Sequence, residues 1–514
     1  MIFRVLIVKP SKYGYNPTDR NYGYVQRFRR GFMPNTTLPY LRSMTPERIG
    51  DCFLETITID EYVQTDLRYL ALLRNDVPTL LALVGVQSHQ FQRALDLAAL
   101  FLRNGGRHAV IGGPQPMTCD TTMLQNRGVS FALAEAELVW PTILRDAIRG
   151  ELQPVYGKDQ RWQVELNPPV MIPPSREDMR HYIVPLLGLY PARGCPYTCN
   201  FCSVIKIAGR KVRSQSVDTT METLWRAKRS GIRFILFTSD NFNKYKDAPE
   251  LLKRMVEEKL GLPFMCQCDT QVSKQDEFIE LLGRAGCFQM YLGVESMSRS
   301  VLLKAHKTQN HPSSYKEIIE KTGKAGFNCH FSNIIGFPDD DERMVKEHMA
   351  EVCRLGPAAI SSYILTPLPG TDQYDDFLSE GRIYEKNLDC FDACWPTWHH
   401  DHFSPARLTD LMFEFYQTFY SDERLVRSFV TRNERMSRSS DLISRIFPVF
   451  YRYAAWKRRH PMEGGFGKVR RDHVSDYLPL RRELYGYELV PLPKSLELSL
   501  ADQKSNSQVK LFTA

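Results

Sequence analysis

Arg193-Gly194-Cys195-Pro196-Tyr197-Thr198-Cys199-Asn200-Phe201-Cys202 places three cysteines within eight residues, directly after the apolar run Leu186 to Tyr190. Spaced C-x3-C-x2-C, with Gly194 and Pro196 supplying turn chemistry, the thiols can wrap one metal centre. A structural zinc takes four protein ligands, and the nearest histidine, His181, lies well upstream with no finger spacing. An iron–sulfur cluster is the better match. Four irons held by three cysteines leave one iron with an open coordination position, which a cofactor-activating cluster requires.

Working outward, candidate strands recur at Leu186 to Tyr190, Phe234 to Thr238, Phe264 to Cys268, Gln289 to Val294, His330 to Ile335 and Ala359 to Leu365. Helical stretches separate them; one carries Val217, Met221, Leu224, Trp225 and Lys228 on one side and stops at Gly231. Six βα units over residues 184–394 predict parallel strands with right-handed crossovers, hence a partial (β/α)6 TIM barrel. Upstream, residues 1–150 alternate strand and helix in the Rossmann-like, flavodoxin-like manner. Their strands are expected at Ile2 to Val8, Cys52 to Ile59, Leu80 to Val86, His108 to Ile111 and Val129 to Leu133. The proline-rich stretch 151–183 reads as a linker. Residues 395–514 read as a mostly helical, basic C-terminal domain ending in a polar tail from Ser495. The fold class is α/β.

The 514 residues, 43% hydrophobic and 25% charged, exclude a disordered or coiled-coil chain. No apolar run approaches the ~20 residues of a membrane span, and Met1 to Val8 meets Lys9-Pro10 without a cleavable-signal pattern, so a cytoplasmic protein is expected. Twelve cysteines there imply free thiols and metal ligands, not disulfides. Cys266 with Cys268, and Cys390 with Cys394, read as buried free thiols. The net charge of +8 is local: Ser421 to Arg482 holds 15 Lys and Arg against 7 Asp and Glu. That segment is a solvated helical face or a candidate for peripheral membrane contact.

The cysteine motif and the βα units after it resemble the radical S-adenosylmethionine (SAM) superfamily, in which the open iron chelates SAM and reductive cleavage yields a 5′-deoxyadenosyl radical. The resemblance implies a 4Fe-4S cluster on Cys195, Cys199 and Cys202. It also implies SAM contacts from Phe201, from Asp240 in Ser239-Asp240-Asn241, from Glu295 in Gly293-Val294-Glu295-Ser296, and from Ser332 and Gly336 around Asn333-Ile334-Ile335-Gly336-Phe337-Pro338.

The first 150 residues look like a cobalamin domain. Gln87 and Ser88 after the third strand, Gly112 and Gly113 after the fourth, and Glu135 in Ala134-Glu135-Ala136-Glu137 would line the channel for the nucleotide tail. Glycine lets a ligand approach the backbone. No histidine precedes His89, so the D-x-H-x-x-G ligand of many cobalamin domains is missing. The loop after the first strand instead carries Tyr13, Tyr15, Tyr22, Tyr24, Arg27, Arg29 and Arg30.

The resemblance implies a cobalamin-dependent radical SAM C-methyltransferase acting on an unactivated carbon of a small molecule or lipid, with an electron donor such as flavodoxin or ferredoxin and no specific nucleic acid. An oxidative cyclase or tetrapyrrole-modifying enzyme, and an RNA-modifying methylthiotransferase, are the alternatives. His399, His400 and His402 are candidates for a substrate pocket.

Overall fold

The computed structural model describes every residue except 15–22, 64–67, 75, 164, 431–432, 435, 464, 470–471 and 510–514. Tyr15 and Tyr22 of the first loop, and the end of the polar tail, therefore lie outside the described residues.

Strands β1 (Ile2–Lys9), β2 (Cys52–Asp60), β3 (Thr79–Leu83), β4 (His108–Gly112) and β5 (Val129–Ala132) form a parallel sheet in the order β2-β1-β3-β4-β5. This is the flavodoxin-like order, with its switch point between β1 and β3. Helices cover both faces, so the strands are near-continuous apolar runs: Phe3, Val5 and Ile7 pack beneath α1 (Thr37–Met44) and α3 (Ala136–Arg149), Leu6 and Val8 beneath α2 (Ser88–Arg103). The strand Val155–Tyr156 adds parallel to β5, and Tyr182 donates to Asp60 Oδ2 at 2.7 Å. The stretch expected as a linker is thus tied to the first sheet at both ends.

The second sheet runs β6 (Leu186–Leu189), β7 (Phe234–Phe237), β8 (Phe264–Cys268), β9 (Cys287–Glu295), β10 (Asn328–Ile335) and β11 (Ala359–Ile364), all parallel and neighbours in chain order. Connections through α4 (Val217–Ser230), α5 (Ala248–Glu257), α6 (Asp276–Ala285), α7 (Tyr315–Lys324) and α8 (Glu342–Leu355) make it a partial barrel. Cys266, Cys268, Cys287 and Cys329 are buried in its hydrophobic core.

Six strands leave β6 and β11 as edges, and an open edge must be covered. Here α9 (Pro405–Phe419) lies on β11. Tyr416 and Tyr420, one turn apart, accept the backbone N–H of Ser362 and Ile360 at 2.8 Å each and donate back to the same residues' carbonyls. Two phenols take the place of a seventh strand. The gap beside them is filled by α11 (Arg438–Trp456), whose Phe447 and Tyr451 meet Phe32 and His330. The short α10 (Asp422–Val430) precedes it.

From there the chain straps back over the first sheet. Gly465–Val469 pairs antiparallel with Arg27–Gly31, and α12 (Leu478–Tyr485) reaches α2, where Arg481 meets both carboxylate oxygens of Asp96 at 2.7 Å. Tyr13 donates to that same Asp96, while Arg27 and Arg93 pair with buried Glu61. Tyr13 and Arg27 of the first loop are therefore held in a buried ionic network, whereas Arg29 and Arg30 are exposed. The tail is likewise no loose end: α13 (Leu500–Ser507) buries Asp502 and Asn506.

Candidate active site

The cluster loop is closed at its base by a two-residue antiparallel ladder, Ala192 with Ser214 and Arg193 with Arg213. Gly194 turns it at φ +104°, where a Cβ would meet the Lys211 carbonyl at 2.4 Å, so only glycine fits. Cys195 N–H donates to Gly209 O and Cys202 N–H to Cys199 O. Side chains then reach the sulfurs: Asn241 Nδ2 lies 3.1 Å from Cys195 Sγ and Gln309 Nε2 3.7 Å from Cys199 Sγ.

Burial, and then the neighbouring Cys199, push the Cys202 thiol up to about 12; burial and Cys202 raise Cys195 as well. Three mutually repelling thiolates in one buried loop fit a cationic centre that neutralises them. Among the described residues no three His, Cys, Asp or Glu side chains converge on one ion. Thiolates around a four-iron cluster each take a different iron and stand farther apart than the ligands of a single ion.

Around this loop the strand ends gather. Asp240 Oδ2 accepts from Tyr190 OH at 2.6 Å and from Gly194 N–H at 3.0 Å, and burial raises its carboxyl above the usual range. Part of its hydrogen-bonding capacity thus holds the cluster loop. Glu295 stands in the left-handed region at φ +62°, buried, with Lys307 Nζ 3.0 Å from Oε1 and Ser332 Oγ 3.4 Å from Oε2. Gly336 turns at φ +80°; its N–H and that of Phe337 both donate to Asp340 Oδ2 at 2.9 Å. Phe337 meets Phe201 edge-on at 6.1 Å. Contacts thus join the residues expected to contact SAM: Asp240 holds Gly194 of the cluster loop, Ser332 meets Glu295, and the Gly336 turn sets Phe337 against Phe201.

Residues 189–352 match the radical SAM superfamily. These residues form a radical SAM domain. The chain is 24% identical over 348 residues to the bacteriochlorophyllide d C-12(1)-methyltransferase of Chlorobaculum tepidum, covering 66% of this chain and 71% of that protein. It is 27% identical over 216 residues to the hopanoid C-2 methylase of Rhodopseudomonas palustris, covering 40% of this chain and 41% of that one. The radical SAM methyltransferase TsrM of Kitasatospora setae, solved with cobalamin and a [4Fe-4S] cluster, shares the fold at a TM-score of 0.56 and 14% identity, covering 73% of this chain and 78% of that chain.

The chain holds a second feature beside the loop of its radical SAM domain. A cavity of about 300 Å³ opens in the first domain between α1, α3 and the ends of β3, β4 and β5. Gly85, Gly112, Ala132 and Ala134 keep it open, Val84, Val110, Val139 and Ile143 wall it, and Tyr190 and Arg193 stand at the barrel side. Arg193, next to the cluster cysteines in sequence, pairs with Glu137 of α3 at 2.8 Å and stacks on Tyr40 of α1.

Gly112, Gly113 and Glu135 border this cavity, as expected for a tail channel; Gln87 and Ser88 do not. Gln87 begins α2, its N–H donating to Gln90 Oε1 at 3.2 Å, and Ser88 Oγ donates to Gln115 at 2.6 Å. Their hydrogen bonds serve the helix start. Glu135 is held by Arg213 at 2.7 and 2.8 Å and accepts from Gln163 N–H, so it joins the two domains. His89 lies beside Phe391 and Asp392, away from the cavity lining, and burial pulls it down to about 3.

Of the three histidines named as candidates for a substrate pocket, His400 and His402 stand with ring centroids 6.0 Å apart. His400 Nε2 sits 2.8 Å from the Phe337 carbonyl and supports the turn after β10; His402 N–H donates to His400 Nδ1, and His399 stacks on Tyr384. Sequence reading missed Lys307, Asn241 as a donor to sulfur, Asp340 and Arg193. Asp340, four residues past Gly336, carried a signal, because an acid just after a Gly turn commonly caps its amides; Lys307 carried none.

Proposed function

We propose that the chain is a cobalamin-dependent radical SAM C-methyltransferase whose substrate is a small molecule or lipid. The carrying observation is the cavity of about 300 Å³ in the core of the flavodoxin-like sheet, mostly apolar and kept open by Gly112 and neighbouring small residues. A close-packed core of this kind leaves no such void without a reason. Its apolar lining of Val84, Val110, Val139 and Ile143 suits an aromatic base such as the end of the cobalamin nucleotide tail. Its mouth faces the barrel through Tyr190 and Arg193, beside the cluster loop.

When bound, the cluster supplies an electron to SAM and cobalamin a metal able to carry a methyl group. The chain's own residues do the rest. Cys195, Cys199 and Cys202 would hold the cluster, with Asn241 and Gln309 donating to sulfur. Glu295, oriented by Lys307 and Ser332, would bind the ribose hydroxyls; the Gly336-Phe337 backbone, fixed by Asp340, would line the adenine together with Phe201. Asp240 would offer its remaining oxygen to the ammonium of SAM. No histidine precedes His89 in the chain, and among the described residues none lines the cavity.

Two relatives act, by their names, on multi-ring and largely apolar compounds, which supports a substrate of that size and polarity. The electron comes from a low-potential carrier of the flavodoxin or ferredoxin kind, which suits a cytoplasmic setting; no helix among the described residues is long and apolar enough to cross a membrane. Comparison of metabolite extracts from cells with and without the chain tests the reading: a compound heavier by one methylene, about 14 Da, is expected only with the intact Cys195-Cys199-Cys202 triad. A difference that persists in the triple Ala variant would overturn it.

A further inference from the structure

Helix α11 is amphipathic twice over. One side, with Ile443, Phe447 and Tyr451, packs against the barrel. On the other, Leu442, Ile446, Val449, Tyr453 and Trp456 follow one another at steps of four and three, the spacing of a single helix face. These five keep between 37% and 63% of their surface exposed, and Val426 and Val430 of the adjacent α10 keep 62% and 79%. Folded chains seldom leave so many large apolar side chains in one patch without a partner.

The charge around the patch selects that partner. From Arg438 to Arg459 the sequence has six Lys and Arg and a single acid, Asp441, which is buried against Arg445; Arg452 and Arg458 pair with Asp422 and Asp410 on neighbouring helices, and Arg438, Lys457 and Arg459 stand beside the patch. Lys457 lies over the Trp456 ring at 4.0 Å, and Tyr453 stands 6.1 Å from that ring. An aliphatic stripe ending in Tyr and Trp and rimmed by cations is the pattern of a helix lying in a membrane interface. A second copy of the chain would bring the same positive rim into a two-fold contact and be repelled. Nucleic acid would leave Leu442, Ile446 and Val449 without apolar contacts.

We propose that the outer face of α11, with Val426 and Val430, docks the protein on an anionic lipid bilayer. The same helix then has the barrel on one side and lipid on the other. The surface stands apart from the cofactor reading and is testable without substrate.

Co-sedimentation of the full chain with vesicles of phosphatidylcholine alone, and of phosphatidylcholine mixed with phosphatidylglycerol, tests it. Binding is expected to be stronger to the mixed vesicles and to weaken with salt. Ile446→Glu and Trp456→Glu, at exposed positions, should each abolish binding with melting temperature and iron content unchanged. Arg438→Glu with Lys457→Glu should weaken binding to the mixed vesicles about ten-fold or more. Absence of vesicle binding, or binding that ignores all four substitutions, would overturn the proposal. So would self-association, or retention of tRNA in place of vesicles, that these substitutions remove.

Discussion

Lys307 Nζ stands 3.0 Å from Glu295 Oε1, and Glu295 holds a left-handed backbone at φ +62° that non-glycine residues adopt only where the surroundings enforce it. The same ammonium faces Cys199 and Cys202, which help to raise its pKa. Lys307 thus links the cysteine loop to the carboxylate proposed to bind the ribose.

Removing that charge should leave the iron in place and impair SAM use. Charge-assisted hydrogen bonds are worth about 1.5–3 kcal/mol, so Lys307→Met is expected to lower kcat/KM for SAM cleavage about ten- to a hundred-fold, with Lys307→Arg recovering part of the loss. Unchanged 5′-deoxyadenosine formation in Lys307→Met would contradict the assignment.

Gly112 and Gly113 separate ligand space from backbone need. A Cβ on Gly112 lies 3.3 Å from Ala132 Cβ at the cavity wall, whereas one on Gly113, at φ +136°, would meet Val86 N at 2.2 Å. Gly112→Val should lose cobalamin while keeping its circular dichroism, and Gly113→Ala should lower the melting temperature outright. The reverse pattern would mean that the cavity is not the tail site.

Burial pulls His330 down to about 3 and His348 to about 4, against an ordinary value near 6.5. Between those values the unfolded chain binds protons that the folded chain refuses, so stability rises with pH through this window and is lost as acid is added. At pH 5 each contributes a loss of about 2 kcal/mol. The thermal midpoint should fall between pH 7 and pH 5, less steeply in His330→Gln. A flat profile would show that neither imidazole is held neutral.

The tail reaches the cluster loop. Asn506 Oδ1 accepts the Arg210 N–H at 2.8 Å, and the Arg210 guanidinium donates to the Pro196 carbonyl at 3.1 Å. Ending the chain at residue 498 should make reconstituted protein lose iron to a chelator several-fold faster, by about the ~1 kcal/mol of one hydrogen bond. Equal rates would mean that the loop stands without this support.

Much of this architecture was legible in the chain itself. Ile2 to Val8 and Phe264 to Cys268 announce buried strands, and C-x3-C-x2-C at a strand end announces a cluster loop. Other parts were hidden for physical reasons. A Gln-Ser pair after a strand looks the same whether it begins a helix, as at Gln87, or holds a ligand. Tyr416 and Tyr420 read as ordinary core spacing although their hydroxyls finish a sheet edge. The stretch from Ser495 has the composition of a solvated tail, and only the contacts made by Asp502 and Asn506 give it a place. Lys307 and Glu295 are twelve residues apart with no pattern to join them.

The spectrum of bound cobalamin checks the lower face. With no histidine ahead of His89, and His89 buried beside Phe391 and Asp392, reduced Co(II) should show no nitrogen superhyperfine splitting in electron paramagnetic resonance. Clear imidazole splitting would require a histidine from elsewhere in the chain.

The most direct test of the whole account measures two products in one tube: 5′-deoxyadenosine and S-adenosylhomocysteine, formed from SAM by the anaerobically reconstituted protein with cobalamin and a strong reductant. The wild type should form both, Gly112→Val only 5′-deoxyadenosine, and the Cys195, Cys199 and Cys202 triple Ala variant no 5′-deoxyadenosine. S-adenosylhomocysteine absent from the wild type, or formed equally without cobalamin, would contradict the account.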